Sequence, residues 1–182
     1  MIETPALASG LETKFVSVDG LAAAEDGRIE GYASLFDVAD QSGDVVAPGA
    51  FAASLLRAGR RVKLLWQHDP AQPIGVWDEI AEDARGLRVK GRLLTEIRAG
   101  AEAAALVRAG AIDGLSIGYR TVRAAKAADG GRRLLEVDLW EVSLVTFPML
   151  PEARAAKAEG GGENDGDAAL AAAIEAARRA LA

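Results

Sequence analysis

The stretch LLEVDLWEVSLVTF, residues 134–147, alternates large apolar residues with others, the pattern of a largely buried β-strand. Side chains of a strand point to opposite faces in turn, so Leu139, Glu141 and Ser143 are predicted to share one face and Val142 to lie on the other. Glu141 therefore sits mid-strand among apolar residues, where an unpaired carboxylate is costly. Its partner is an arginine, water at an open edge or a catalytic imidazole, and the pattern leaves these three open.

Strand patterns outnumber helical ones along the rest of the chain. The other predicted strands cover residues 13–18, 28–36, 62–67, 74–80, 86–94 and 112–122. Helices are predicted from Pro48 to about Gly59 and over Ile97–Ala109, with Gly110 as the cap of the second. Because helices do not separate the strands regularly, a doubly wound parallel sheet is not expected. We predict a mostly β fold with helices (α+β): a closed or nearly closed β-barrel of about seven strands, surrounded by helices.

Composition divides the chain into three parts. Residues 1–12 are predicted to be a flexible leader, and residues 13–157 to form the folded domain. Residues 158–182 combine a Gly- and acid-rich linker with an Ala-rich C-terminal helix, which Asp167 is suited to cap. This tail is either a tag that binds a partner or a disordered end.

Composition also excludes several classes of function. The net charge of −6 argues against nucleic acid as the main partner, because phosphate binding needs clustered Lys and Arg. The sequence has no cysteine, which excludes disulfides, thiolate nucleophiles and cysteine metal sites. It has no apolar run of membrane-spanning length and no signal-peptide pattern, so a soluble protein made in a cytoplasm is expected. The single histidine, His68, must supply any catalytic imidazole.

Two residues complete a candidate catalytic set with Glu141. Ser116 lies in GLSIGY, where Gly114 and Gly118 share its predicted face and leave open space beside the hydroxyl. His68 follows a predicted strand, a location that suits a firmly held base. A plain strand serine and a surface histidine are the ordinary roles of such residues. Together, a hydroxyl, an imidazole and a buried acid are the members of a nucleophile, base and orienting-acid set.

Three further acidic residues, Asp40, Asp44 and Glu30, invite interpretation as a metal site. Asp40 and Asp44 lie around Gly43, ahead of the helix predicted to begin at Pro48. Aspartate beside glycine is typical of turns and caps, because its side chain accepts hydrogen bonds from nearby backbone N–H groups. We therefore predict turn and cap roles for Asp40 and Asp44, with no metal and no cofactor.

Four segments, in this order and at fitting separations, resemble the HK97-type prohead proteases. They are GYASLFDVADQSGDVVAPGAF (31–51), LLWQHDPAQPIGVW (64–77), GLSIGY (114–119) and EVSLVTFPMLP (141–151). The likeness spans residues 15–155 approximately and depends on the combination, since each segment alone is a weak signal. It implies a herpesvirus-assemblin-like fold, a β-barrel ringed by helices.

The resemblance also implies a serine endopeptidase with Ser116 as nucleophile and His68 as base. Glu141 matches the position of the third member, with Asp138 and Asp69 as substitutes. One departure concerns the last segment, where the family usually has a small residue and Asn before Pro. This chain has Met149-Leu150-Pro151 instead, which puts the local turn and any oxyanion donor there in doubt.

The implied substrates are the scaffold segment of the major capsid protein, any separate scaffold protein and the protease itself. Cleavage would take place inside an immature capsid in the cytoplasm of a bacterial host, during maturation of a phage or a phage-like gene transfer agent. The tail at 158–182 would then be a tag for scaffold helices. Assemblin relatives dimerise, so a homodimer is an option. The main alternative is a non-catalytic assembly or scaffold-binding module with a protease-derived fold.

Overall fold

The computed structural model describes residues 11–17, 22–23, 26–40, 42–57, 62–127 and 130–146. The predicted leader up to residue 10, the linker and C-terminal helix at 158–182, and the turn at Met149-Leu150-Pro151 lie outside these residues. Nine strands and two helices are formed within them. In chain order they are β1 Glu12–Ser17, β2 Ala22–Ala23, β3 Arg28–Leu35, β4 Val45–Val46, α1 Ala52–Leu55, β5 Lys63–Trp66, β6 Asp69–Glu82, β7 Gly86–Leu93, α2 Arg98–Arg108, β8 Gly114–Lys126 and β9 Arg132–Val145.

The strands make one sheet in the order β1-β8-β9-β5-β6-β7-β3-β2, with β4 beside β9. Most neighbours are antiparallel, but β5 and β4 run parallel to β9. The sheet curls until β3 approaches β1 and β8, while β1 and β2 form the two ends of the path. The mostly β prediction is therefore confirmed as a curled half-barrel with few helices. The predicted closed barrel surrounded by helices is not confirmed.

The helices differ in how well the sequence predicted them. Helix α2 matches the predicted Ile97–Ala109 and is followed by Gly110 in the left-handed conformation (φ 70°), a conformation in which glycine is common after a helix. Helix α1 is much shorter than predicted, because Pro48 to Ala50 form turns instead of a first helical turn. Leu56, which follows this helix, is 85% exposed.

The core lies inside the curl. On β8 it receives Leu115, Ile117 and Tyr119, so the alternating residues Gly114, Ser116 and Gly118 occupy the other face, as predicted. On β9 the core residues are Leu134, Val137, Leu139, Val142 and Leu144.

One predicted face assignment on β9 is wrong. Gly118 is opposite Glu141 whereas Tyr119 is opposite Leu139, so Trp140 is an extra residue in the ladder and forms a β-bulge. The bulge resets the alternation. Leu139 therefore faces the core, whereas Glu141 and Ser143 face away from it with Ser116. A one-residue insertion of this kind leaves no mark in a pattern of apolar residues.

Candidate active site

His68 lies in the two-residue turn that joins β5 to β6. Trp66 pairs with Asp69, and both Gln67 (φ 51°) and His68 (φ 63°) have the left-handed backbone that a type I′ turn requires. Neither residue is glycine, so this turn costs conformational energy, on the order of 1–3 kcal/mol per strained residue. Neighbouring β9 stabilises it: the Gln67 backbone N–H donates to Leu144 O (3.0 Å), and the Gln67 amide donates to the Thr146 hydroxyl (2.6 Å).

The imidazole of His68 contacts the carboxylate of Glu141. The Nδ1 atom lies 2.5 Å from Glu141 Oε1, and the two side chains are only 10% and 6% exposed. The contact arises because β5 pairs in parallel with β9, with Trp66 opposite Leu144. Of the three partners left open by the sequence for the buried Glu141, the structure thus selects an imidazole. With Nδ1 donating to the carboxylate, Nε2 is the nitrogen on which the ring accepts a proton.

The two substitute acids have other partners. Asp69 accepts hydrogen bonds from the Ala71 backbone N–H and the Gln72 amide, both at 2.8 Å. Asp138 accepts from Arg57 (2.8 Å) and from the Trp140 indole (3.0 Å). The structure therefore brings Glu141, rather than either aspartate, to His68 Nδ1.

Ser116 lies one cross-strand pair from this contact. It is directly opposite Ser143, which is two residues from Glu141 on the same face. Ser116 is fully buried, and its hydroxyl donates to the backbone carbonyl of Lys14 on β1 at 3.2 Å. The predicted hydroxyl, imidazole and carboxylate therefore occupy one face of the β8-β9-β5 region, although the Ser116 proton points to β1 in this arrangement.

Comparison with known proteins places this chain in a family. A sequence model of the caudovirus prohead serine proteases matches residues 13–165. The chain belongs to this family. It is 34% identical over 132 residues to the prohead protease of Enterobacteria phage HK97, a match that covers 71% of this chain and 59% of that protein. The chain thus aligns with less than two thirds of the HK97 protein.

A solved structure resembles this family member in fold. The bacteriophage T4 capsid assembly protease matches with a TM-score of 0.55 at 17% identity, and the match covers 76% of this chain and 98% of the T4 chain. At this identity the likeness concerns the fold alone. Among the described residues, no helix is long and apolar enough to cross a membrane.

In this prohead protease family member, Gly118 provides the space that Glu141 occupies. A Cβ atom built on Gly118 would overlap the Glu141 carboxylate, with Cδ at 2.8 Å and Cγ at 2.9 Å. Both distances are shorter than real Cβ contacts. The glycine predicted to open space beside Ser116 therefore opens it for the acid that holds His68.

We expect Gly118→Ala to displace the carboxylate while the protein still folds, because the obstructed atoms are the far end of a side chain rather than backbone. A misplacement of about 1 Å in a catalytic site lowers activity about 100-fold. The measurement is the rate of labelling by a fluorophosphonate, alongside thermal unfolding. Glu141→Gln and the double variant complete a cycle. If the two losses simply add, Gly118 does not act through Glu141.

Sequence reasoning missed the residues that support this set. Ser143, Gln67 and Thr146 received no role, although Ser143 was placed on the Glu141 face. Lys14 gave no signal at all as a lysine in a strand, yet its side chain is only 2% exposed and donates to Asp40 Oδ2 (2.9 Å) and Asp44 O (2.6 Å). This anchor fixes β1 beside Ser116.

Asp40 and Asp44 serve turns and ion pairs. Asp40 accepts from the backbone N–H groups of Ser42 and Asp44, the turn role predicted for it. Burial raises the pKa of Asp40, but hydrogen bonds from Lys14 and Ser42 outweigh burial and hold that pKa below its usual value. Asp44 pairs with Arg132. The described residues contain no group of three or more acidic or histidine side chains placed to hold a metal.

Proposed function

We propose that this chain is a serine endopeptidase that matures the prohead of a phage or a phage-like particle. Ser116 is the nucleophile, His68 the general base and Glu141 the acid that orients His68. The observation that supports this best is the contact of the chain's single histidine with a buried carboxylate, beside a serine on the neighbouring strand. Family membership supplies the reaction class.

The chemistry follows from the atoms. Glu141 accepts the Nδ1 proton, which fixes the tautomer in which Nε2 is the base and stabilises the imidazolium that forms later. A hydroxyl has one proton to donate, and Ser116 gives it to Lys14 O in this structure. Before it attacks a peptide carbonyl of the substrate, the Ser116 hydroxyl therefore turns about χ1, away from Lys14 O and toward the imidazole. His68 takes the proton as the Oγ–C bond forms and returns it to the leaving amine.

The proposed substrates are the scaffold segment of the major capsid protein, any separate scaffold protein and the protease itself. The HK97 relative is a prohead protease, which supports a partner of this class. The site of action is then the inside of an immature capsid in the bacterial host. A phage, a prophage and a gene transfer agent are all compatible with this placement.

The competing proposal is a non-catalytic assembly module with a protease-derived fold. The full burial of Ser116 and its bond to β1 favour that alternative. The intact set of serine, histidine and acid favours the enzyme. The two proposals differ in whether the capsid protein is cleaved when it is co-expressed with this chain.

Co-expression with the major capsid protein of the same particle is expected to shorten that protein at one defined N-terminal position. Intact-mass measurement of assembled shells detects the change, and Ser116→Ala is the matched control that assembles without shortening. Shells that keep full-length capsid protein with the unaltered chain present would instead establish the assembly module.

The same co-expression experiment tests the role of the C-terminal residues 158–182. If residues 158–182 are a tag for scaffold, their deletion lowers the amount of protease inside the shells while labelling by a fluorophosphonate is unchanged. Equal incorporation with and without the tail refutes the tag.

A further inference from the structure

Ser143 connects the two halves of the histidine site. Its hydroxyl donates to Glu141 Oε2 at 2.5 Å and accepts the backbone N–H of His68 at 3.3 Å. The residue is fully buried and lies opposite Ser116. One hydroxyl thus contacts both the acid that holds the ring and the backbone of the turn that carries it.

The Glu141 carboxylate is fixed in direction only because both of its oxygens are engaged. Oε1 contacts His68 Nδ1, and Oε2 accepts the proton of Ser143. The last torsion of a glutamate side chain has a broad, shallow energy profile, so a single contact leaves the group free to swing. Beside it, Gly118 has no side chain that would restrain such motion. Ser143 therefore supplies the second point of attachment.

The turn needs the same restraint. Gln67 and His68 both have left-handed backbones, a conformation that persists in residues other than glycine only where the surroundings fix it. The N–H of His68 finds its acceptor in Ser143 Oγ, while Gln67 is attached to Leu144 and Thr146. Contacts to two residues of β9 and to Thr146, which follows it, thus fix the backbone from which the imidazole projects.

We propose that Ser143 is a positioning residue: it locks the Glu141 carboxylate and the His68 turn into one arrangement, so that the imidazole reaches Ser116 already oriented. This inference rests on the proposed function for its catalytic consequence. Ser116 remains the proposed nucleophile, and the role inferred for Ser143 is to support the site through its hydrogen bond to Glu141 Oε2. Ser143 acts through other residues and does not touch the substrate.

The test uses the full chain and the fact that it contains one histidine. With ¹⁵N-labelled histidine, the proton shared between Nδ1 and Glu141 gives a downfield resonance that belongs to His68 without further assignment. In Ser143→Ala we expect this resonance to shift upfield or to broaden beyond detection, whereas Ser143→Thr, which keeps the hydroxyl, retains it. Ser34→Ala is the matched control, since Ser34 is also fully buried in the sheet and its hydroxyl has no hydrogen-bond partner among the described residues.

A kinetic measurement accompanies the spectrum. The rate at which a fluorophosphonate labels Ser116 is expected to fall about 10- to 100-fold in Ser143→Ala, to recover in Ser143→Thr and to stay unchanged in Ser34→Ala. An unchanged downfield resonance together with an unchanged labelling rate in Ser143→Ala overturns the inference and leaves the proposed function intact. A wild-type chain that resists labelling overturns the proposed function instead, and the resonance then still decides whether Ser143 holds His68.

Discussion

Ser116→Ala is expected to reduce cleavage of the capsid protein by about 10⁴-fold or more, because removing the nucleophile of a catalytic triad leaves only the contribution of binding and of the oxyanion donors. The variant should still fold. It loses the hydrogen bond from the hydroxyl to Lys14 O, which is worth about 1 kcal/mol in a typical case. Intact-mass analysis of capsid protein after incubation measures the first effect, and thermal unfolding measures the second.

The site of labelling separates Ser116 from its neighbour. Ser116 and Ser143 are opposite each other on β8 and β9, so loss of activity in one variant alone does not identify the nucleophile. A fluorophosphonate should add its mass to the peptide that contains Ser116, and Ser116→Ala should abolish the adduct. An adduct on Ser143, or continued trimming by Ser116→Ala, would disprove the assignment.

Glu141→Gln should be the second most damaging change, with a loss of about 10³- to 10⁴-fold. The amide has nearly the same shape but cannot stabilise an imidazolium. When its oxygen accepts the Nδ1 proton, its NH₂ group faces the Ser143 hydroxyl, whose proton Oε2 of Glu141 now accepts. Initial rates of cleavage for the wild type and the variant, at equal enzyme concentration, provide the measurement.

Asp69→Asn is the matched control for Glu141→Gln. It makes the same chemical change one residue from His68, but at an acid whose oxygens accept from Ala71 and Gln72 at the start of β6. Its rate should remain within a few-fold of wild type. A large loss in Asp69→Asn with little change in Glu141→Gln would transfer the orienting role to the aspartate.

The sequence predicts those features of the fold that depend on neighbouring residues better than those that depend on residues far apart in the chain. The alternation of apolar and other residues identified most of the long strands, because apolar side chains recur at every second position on the buried face of a strand. It failed at Trp140, where a bulge exchanges the faces, and it gave no sign of β2 and β4, which have two residues each. The helix predicted after Pro48 has only four residues because Pro48 to Ala50 form turns, and Leu56 beyond its end is exposed.

The sequence predicted the individual residues of the site but not the contacts between them. The alternation of residues along each strand predicts that Glu141 is buried and that Ser116 shares its face with two glycines. The contact of His68 with Glu141 depends on the parallel pairing of β5 with β9, between segments more than seventy residues apart. Periodicity has no information on such pairing. Residue chemistry offered an imidazole as one of three partners for Glu141, and the resemblance to a family favoured it. The support from Ser143 depends on side-chain directions that follow only from the assembled sheet.

Under the proposed function, the parallel pairing of β5 with β9 also decides when this chain becomes chemically competent. The histidine turn belongs to the first half of the chain and its acid to the second half, so ribosomal synthesis completes the turn well before its carboxylate exists. Closing so long a loop is among the slower events in forming a sheet. With His68 as the proposed base, a nascent or half-folded chain has no oriented imidazole until β9, the last strand among the described residues, is in place.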